Sequence, residues 1–175
     1  MKKVMKFFSY LVLMLALLIF FLPKLNLYYA VEAILEKKKV YISDEEVLDR
    51  GFSLELRQAK LFFDKLPLAE IERIQLLPLV FYTTFDLTNI RINEGFSDFL
   101  PQEIHSVHVE HLFYNPMKVK FKGTNEDSHF YGNIDLLERV LSVHLRLSAK
   151  SEQRYATMLR KLSKEEGGYF YEYKF

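Results

Sequence analysis

The chain has 175 residues, with 24 Lys+Arg against 23 Asp+Glu, so its formal net charge is +1. A balance that even excludes a polybasic nucleic-acid binder, and a 50% hydrophobic content excludes intrinsic disorder. Cysteine is absent, which removes disulfides, thiol catalysis and cysteine metal sites.

The charge is unevenly spread. Residues 1–22 hold Lys2, Lys3 and Lys6 and no acid, which leaves 21 basic and 23 acidic side chains in residues 23–175. A cationic, apolar N-terminus is therefore joined to one mildly acidic domain of a size that supports a single core. Phe7 to Leu22 reads FFSYLVLMLALLIFFL, with Ser9 its one clearly polar residue. Phe7, Leu11, Leu15, Leu18 and Phe21 are taken as the membrane anchor. A cleaved signal peptide has the same outline, but this apolar run is long for one. No good small-x-small site follows it either: Tyr28-Tyr29-Ala30 puts Tyr where a small residue belongs. The expected division is 1–23 as cytoplasmic stub and transmembrane anchor and 24–175 as a β-rich domain. Lys2, Lys3 and Lys6 before the span, against Lys24 after it, orient the N-terminus to the cytoplasm and the domain to the far side. That side is the periplasm in a double-membrane bacterium.

Pro23 ends the span. Leu27, Val31, Ile34 and Leu35 then recur at helical spacing, predicting a short amphipathic helix closed by Lys37, Lys38 and Lys39. Val40-Tyr41-Ile42 reads as a strand. Ser43-Asp44-Glu45-Glu46 has the form of a capping box and predicts a short helix ended by Gly51. The carboxylates of this segment lack calcium-loop spacing and read as a solvated helix start.

From residue 52 the hydrophobic period changes to two. Phe52, Leu54 and Leu56 alternate with polar residues, while Ala59, Leu61 and Phe63 continue in the opposite phase, which predicts a bulge or break near Arg57-Gln58. Asp64-Lys65 is a turn and Leu68–Leu76 the returning strand. Pro78 belongs at a strand end or bulge, with further β segments at Leu79–Phe85 and Leu87–Ile92. A loop over Gly95–Gln102 carries Phe96, Phe99 and Leu100. Four more strands are expected at Ile104–Tyr114, Met117–Lys122, Phe130–Leu136 and Arg139–Leu147. The last has Leu141, Val143, Leu145 and Leu147 inward. Such close spacing predicts an antiparallel meander. Ser151 begins a second helix with Tyr155, Met158, Leu159 and Leu162 on one face, stopped by Gly167-Gly168. The tail YFYEYKF puts Tyr169, Tyr171, Tyr173 and Phe175 on one side of a final strand, and this row is the candidate docking strip for a partner. The fold class expected is mainly β (α+β): a transmembrane helix, a short amphipathic helix, a curved antiparallel sheet and a helix near the C-terminus.

Candidate chemistry is thin. His105, His108 and His111 with Glu110 offer zinc-type ligands, but on a strand His108 points away from the other two, and they read as ordinary strand histidines. There is no G-x-S-x-G and no glycine-rich phosphate loop. The reading is a protein that is not an enzyme, with no cofactor and no nucleic-acid partner.

The order of features carries a resemblance. A span ending in Pro and a helix with Leu27-Tyr28-Tyr29 come first. Gly51-Phe52-Ser53-Leu54-Glu55-Leu56 follows, then a strand-rich body. Gly132-Asn133-Ile134-Asp135-Leu136 finally leads into the alternating Leu141–Leu147. This pattern resembles the type II secretion system protein N family and its larger AsmA-like relatives. The terminal helix and aromatic tail fall outside it. The resemblance implies an inner-membrane-anchored periplasmic scaffold or accessory subunit of a secretion, pilus or related envelope machine, whose partners are other subunits of that complex. It supplies no active-site residues. The alternative it implies is AsmA-like or bridge-type handling of lipid or lipopolysaccharide. The orientation of Leu54, Leu56, Val143 and Leu145, into a closed core or an open groove, discriminates the two.

Overall fold

The computed structural model describes residues 2–79, 81–96 and 101–175. Phe99 and Leu100 of the expected loop lie outside the described residues.

Helix α1 (Lys2–Phe20) is about 28 Å long at 1.5 Å per residue, buries no residue, and is long and apolar enough to cross a membrane. It carries Phe7, Leu11, Leu15 and Leu18, and Phe21 lies in the turn just past its end. Helix α2 (Lys24–Lys37) follows after Pro23. Its orientation corrects the amphipathic reading. Leu27, Val31 and Ile34 are exposed, and the residues turned inward are Lys24 and Tyr28. Specific polar contacts set this rotation. The Tyr28 hydroxyl donates to Glu45 at 2.6 Å, and Lys24 Nζ donates to the carbonyls of Phe20 and Leu22 at 3.1 and 3.3 Å. The Phe20 carbonyl closes α1, where the last carbonyls have no partner within the helix, and the Leu22 carbonyl also accepts from the Lys24 N–H at 2.8 Å.

Most of the remaining described residues form one antiparallel sheet of eleven strands: β1 (Val40–Ser43), β2 (Glu46–Asp49), β3 (Leu54–Phe63), β4 (Leu66–Pro78), β5 (Tyr82–Ile92), β6 (Glu103–Leu112), β7 (Lys118–Thr124), β8 (Ser128–Asp135), β9 (Val140–Leu147), β10 (Ser163–Glu165) and β11 (Gly168–Lys174). From β3 to β9 it is a meander with each strand beside the next. Strands β1 and β2 both pair with β3, and β11 and β10 follow β9 at the far edge, so the sheet stays open.

Three local expectations are corrected. Glu46–Asp49 is a strand paired with Leu54–Arg57, because the open edge of β3 offers more hydrogen bonds than an isolated turn of helix. Gly51 does turn the chain, at φ +80, but between two strands. The two segments expected around Asp86 are one strand, with Pro78 ending β4. The C-terminal helix starts at Ala149 under a Ser148 cap and breaks at Tyr155 into α3 (Ala149–Arg154) and α4 (Ala156–Leu159). Gly167 serves instead in the hairpin between β10 and β11.

The phase slip expected near Gln58 is present and extends further than β3. Gln58 has φ 55, and the registers of β3, β4, β5 and β6 place it in line with Glu72, Asn89 (φ 52) and His105. Apolar residues on both sides of this crease, such as Leu56 and Ala59 or Ile74 and Ile71, belong to one core cluster. The crease thus bends the sheet and keeps its apolar face turned inward on both sides.

Candidate interaction surface

One apolar face runs the width of the sheet. A single cross-strand row reads Leu56, Ile74, Leu87, Val107, Gly123, Phe130, Leu145 and Tyr169 from β3 to β11. The next reads Leu54, Leu76, Phe85, Val109, Phe121, Gly132, Val143 and Tyr171. In the N-terminal half this face is closed. Leu54 is 0% exposed and Leu56 4%, packed with Ile74, Leu76, Ile90 and Tyr28 of α2. In the C-terminal half Phe121, Phe130, Val143 and Leu145 are only half-buried.

These half-buried residues line a groove of about 520 Å³ between β6–β9 and α3–α4. Its floor is made by crossed aromatic-glycine pairs. A side chain at Gly123 would strike the Phe130 ring, and one at Gly132 would come within 2.7 Å of Phe121. Both rings therefore lie across the sheet where a neighbouring strand leaves room. Tyr155 and Met158 wall one side, Tyr155 being buried, and the rim is charged by Glu103, Asp127, Lys150 and Arg154. The size is that of ligand-binding sites, and the lining joins an apolar floor of Phe121, Phe130, Val143 and Leu145 to a polar and charged rim.

The candidate strip Tyr169–Phe175 is brought to the margin of this groove. Tyr169, Tyr171 and Tyr173 pair with Leu145, Val143 and Leu141 and extend its apolar face by one strand. Their exposure rises outward, with Tyr171 at 38% and Tyr173 at 52%, and Phe175 beyond them at 53%.

The opposite face is polar. His108 Nδ1 lies 2.5 Å from Asp86, and the Tyr82 hydroxyl donates to Glu110 at 3.2 Å; burial first, then the Glu110 charge, pushes that phenol's pKa up. The other two histidines stand elsewhere: His105 at the groove rim, and His111 with Nε2 3.1 Å from the Pro116 carbonyl. Glu55 gathers Arg57, Arg50 and Arg73 at 2.6, 3.0 and 3.7 Å, and its hydrogen bonds to Arg57 and Arg50 hold its carboxyl below the usual range. Asp135, the aspartate of the Gly132–Leu136 pattern, builds a turn. It accepts from the Leu137 and Glu138 N–H groups at 3.0 Å, and the Glu138 bond is the largest cause of its lowered pKa.

Sequence reasoning missed the groove itself. Pairing of Phe130 with Gly123 across two strands, and closure by Tyr155 and Met158, depend on register and on the placement of α3 and α4. Alternation within β9 was its one visible trace.

Compared with family models, curated proteins and solved structures, the chain matches none.

Proposed function

We propose that the protein is a scaffold or accessory subunit of a bacterial envelope machine, of the secretion or pilus kind, anchored in the inner membrane by α1 with its sheet in the periplasm. It works by binding partner proteins rather than by turnover. The observation that carries this reading is the contrast along one apolar face, closed over β3–β5 and left half-open from β6 to β11. A face that is apolar, grooved and rimmed by charge is the form of a protein-binding surface. The Lys2, Lys3 and Lys6 cluster supports the orientation.

The groove also favours a second reading, AsmA-like or bridge-type handling of lipid or lipopolysaccharide. Leu54 and Leu56 point into a closed core, whereas Val143 and Leu145 line an open groove, so the two halves answer the discriminating question differently. One experiment separates the readings. A photoreactive phenylalanine analogue is placed at Val143 or Leu145 of the full chain in native membranes, and the adducts are identified by mass spectrometry. Adducts with an envelope-assembly protein, lost when Phe130→Asp is added, support the scaffold. Adducts confined to lipid favour lipid handling. No adduct at either position overturns both.

A further inference from the structure

We infer that the outer edge of β11 is the pairing site for a second copy of this chain, joined strand to strand about a two-fold axis at Tyr173. The inference rests on β11 being a docking element, as proposed above, and names its occupant. The Phe175 N–H donates to the Arg139 carbonyl on the β9 side of the strand. Backbone groups alternate along a strand, so Tyr173 and Tyr171 also turn theirs toward β9, and Phe170, Glu172 and Lys174 turn theirs outward. Phe170 is taken, because β10 covers Gly168–Phe170 from Ser163 to Glu165. Glu172 and Lys174 have no strand beside them among the described residues.

The register of a self-pair follows from these constraints. A two-fold axis perpendicular to the sheet keeps each face continuous, so it must pass through a residue rather than between two. Centred on Glu172, it would set the two Glu172 carboxylates opposite each other and demand the occupied edge of Phe170. Centred on Lys174, it would oppose two ammonium groups. Centred on Tyr173, it pairs each Glu172 with the other copy's Lys174, twice, and uses only open backbone groups. Both Glu–Lys pairs then sit at hydrogen-bonded positions, closing four backbone bonds. On the apolar face Tyr171 meets Phe175 of the other copy and the two Tyr173 rings meet each other. These three side chains are the most exposed of the aromatic row, and the grooves of the two copies become one continuous apolar surface. An edge presenting a charged pair of opposite sign at i and i+2 is self-complementary in this register, where cross-strand pairs of opposite charge stabilise and like charges oppose. Confinement of both copies to one bilayer raises their effective concentration, which a contact of this small size requires.

Cysteine is absent from the chain, so an introduced thiol reports one position. In the Tyr173-centred pair the two Tyr173 Cα atoms lie about 4.5 Å apart, the spacing of a non-hydrogen-bonded antiparallel pair and within reach of a disulfide. The full chain carrying Tyr173→Cys, in phosphatidylcholine vesicles under mild oxidation, is expected to give a covalent dimer. Tyr171→Cys alone should not, its two copies being about 13 Å apart, whereas a mixture of Tyr171→Cys and Phe175→Cys should. On the Tyr173→Cys background, Glu172→Lys or Lys174→Glu alone should slow dimer formation roughly fivefold, and the double exchange should restore it. Circular dichroism checks that each variant keeps its sheet. A folded Tyr173→Cys chain that stays monomeric, or a double exchange no faster than the single reversals, overturns the self-pair. Such a result leaves partner docking standing, because the Val143 and Leu145 adducts do not involve this edge.

Discussion

Leu54 and Val143 occupy the same row of the same apolar face, six strands apart, and meet different fates. Leu54 is sealed beneath α2, β4 and the bend of the sheet, whereas Val143 looks into a groove. Sequence pattern is the same at both ends, apolar alternating with polar. The difference comes from what the crease does. It crosses β3 to β6 along Gln58, Glu72, Asn89 and His105 and ends there, so only those strands are bent over their own core. Beyond β6 the cover among the described residues is the short pair α3–α4. The molecule thus uses one continuous hydrophobic pattern both for stability and for a surface.

The contrast is broken most directly by truncation. Leu54→Ala removes a fully buried side chain and should cost about 3 kcal/mol, seen as a lower denaturation midpoint of the full chain in detergent. Leu145→Ala, half-exposed, should cost about 1 kcal/mol by the same measurement. Equal losses would mean that the second half is as closed as the first. Gly51→Ala tests the joint between α1 and the closed half. It forces a side chain to φ +80 and to within 2.5 Å of the Phe20 ring, with an expected loss of about 2 kcal/mol in thermal unfolding. Tyr28→Phe removes the hydrogen bond that fixes the rotation of α2 and should cost about 1 kcal/mol. Burial, then Glu45, holds the Tyr28 phenol well above its usual range, so the wild type should also lose stability as pH rises past about 10, a loss absent from the variant.

The smallest effect sharpens the polar face. The Glu55 pKa is lowered in the fold, so its ionised form stabilises the protein above the unfolded value of about 4.3, and this contribution disappears as pH falls through the folded value. Glu55→Gln should therefore melt below the wild type at pH 7 and converge with it in acid. Parallel melting curves across that range would remove Glu55 from the account.

Strands β7 to β9 were legible because their alternation is uninterrupted, and the turns before β7 and β8 carry Asn115, Pro116, Asn125 and Asp127. β2 was not. Its capping-box residues specify a helix locally, and only the free edge of β3, placed there by the fold, converts them to a strand. The face of α2 was misjudged for a related reason. Leu27, Val31 and Ile34 are the apolar choice, but a buried Lys24 and the Tyr28–Glu45 bond turn them outward, and neither contact has a sequence signature. The aromatic row of β11 was legible as a strand, while its position beside a groove required the register with β9.

The buried ammonium of Lys24 has a mechanical meaning. It binds the carbonyl of Phe20, the last residue of α1, and that of Leu22 just beyond, and lies 3.6 Å from Asp49 on β2, while Phe20 stands edge-on to Phe52 at 5.5 Å. Helix and sheet are clamped at one point rather than joined by a tether. Any tilt of α1 would swing the sheet as a lever, and the direction in which the groove faces would follow the angle of the helix.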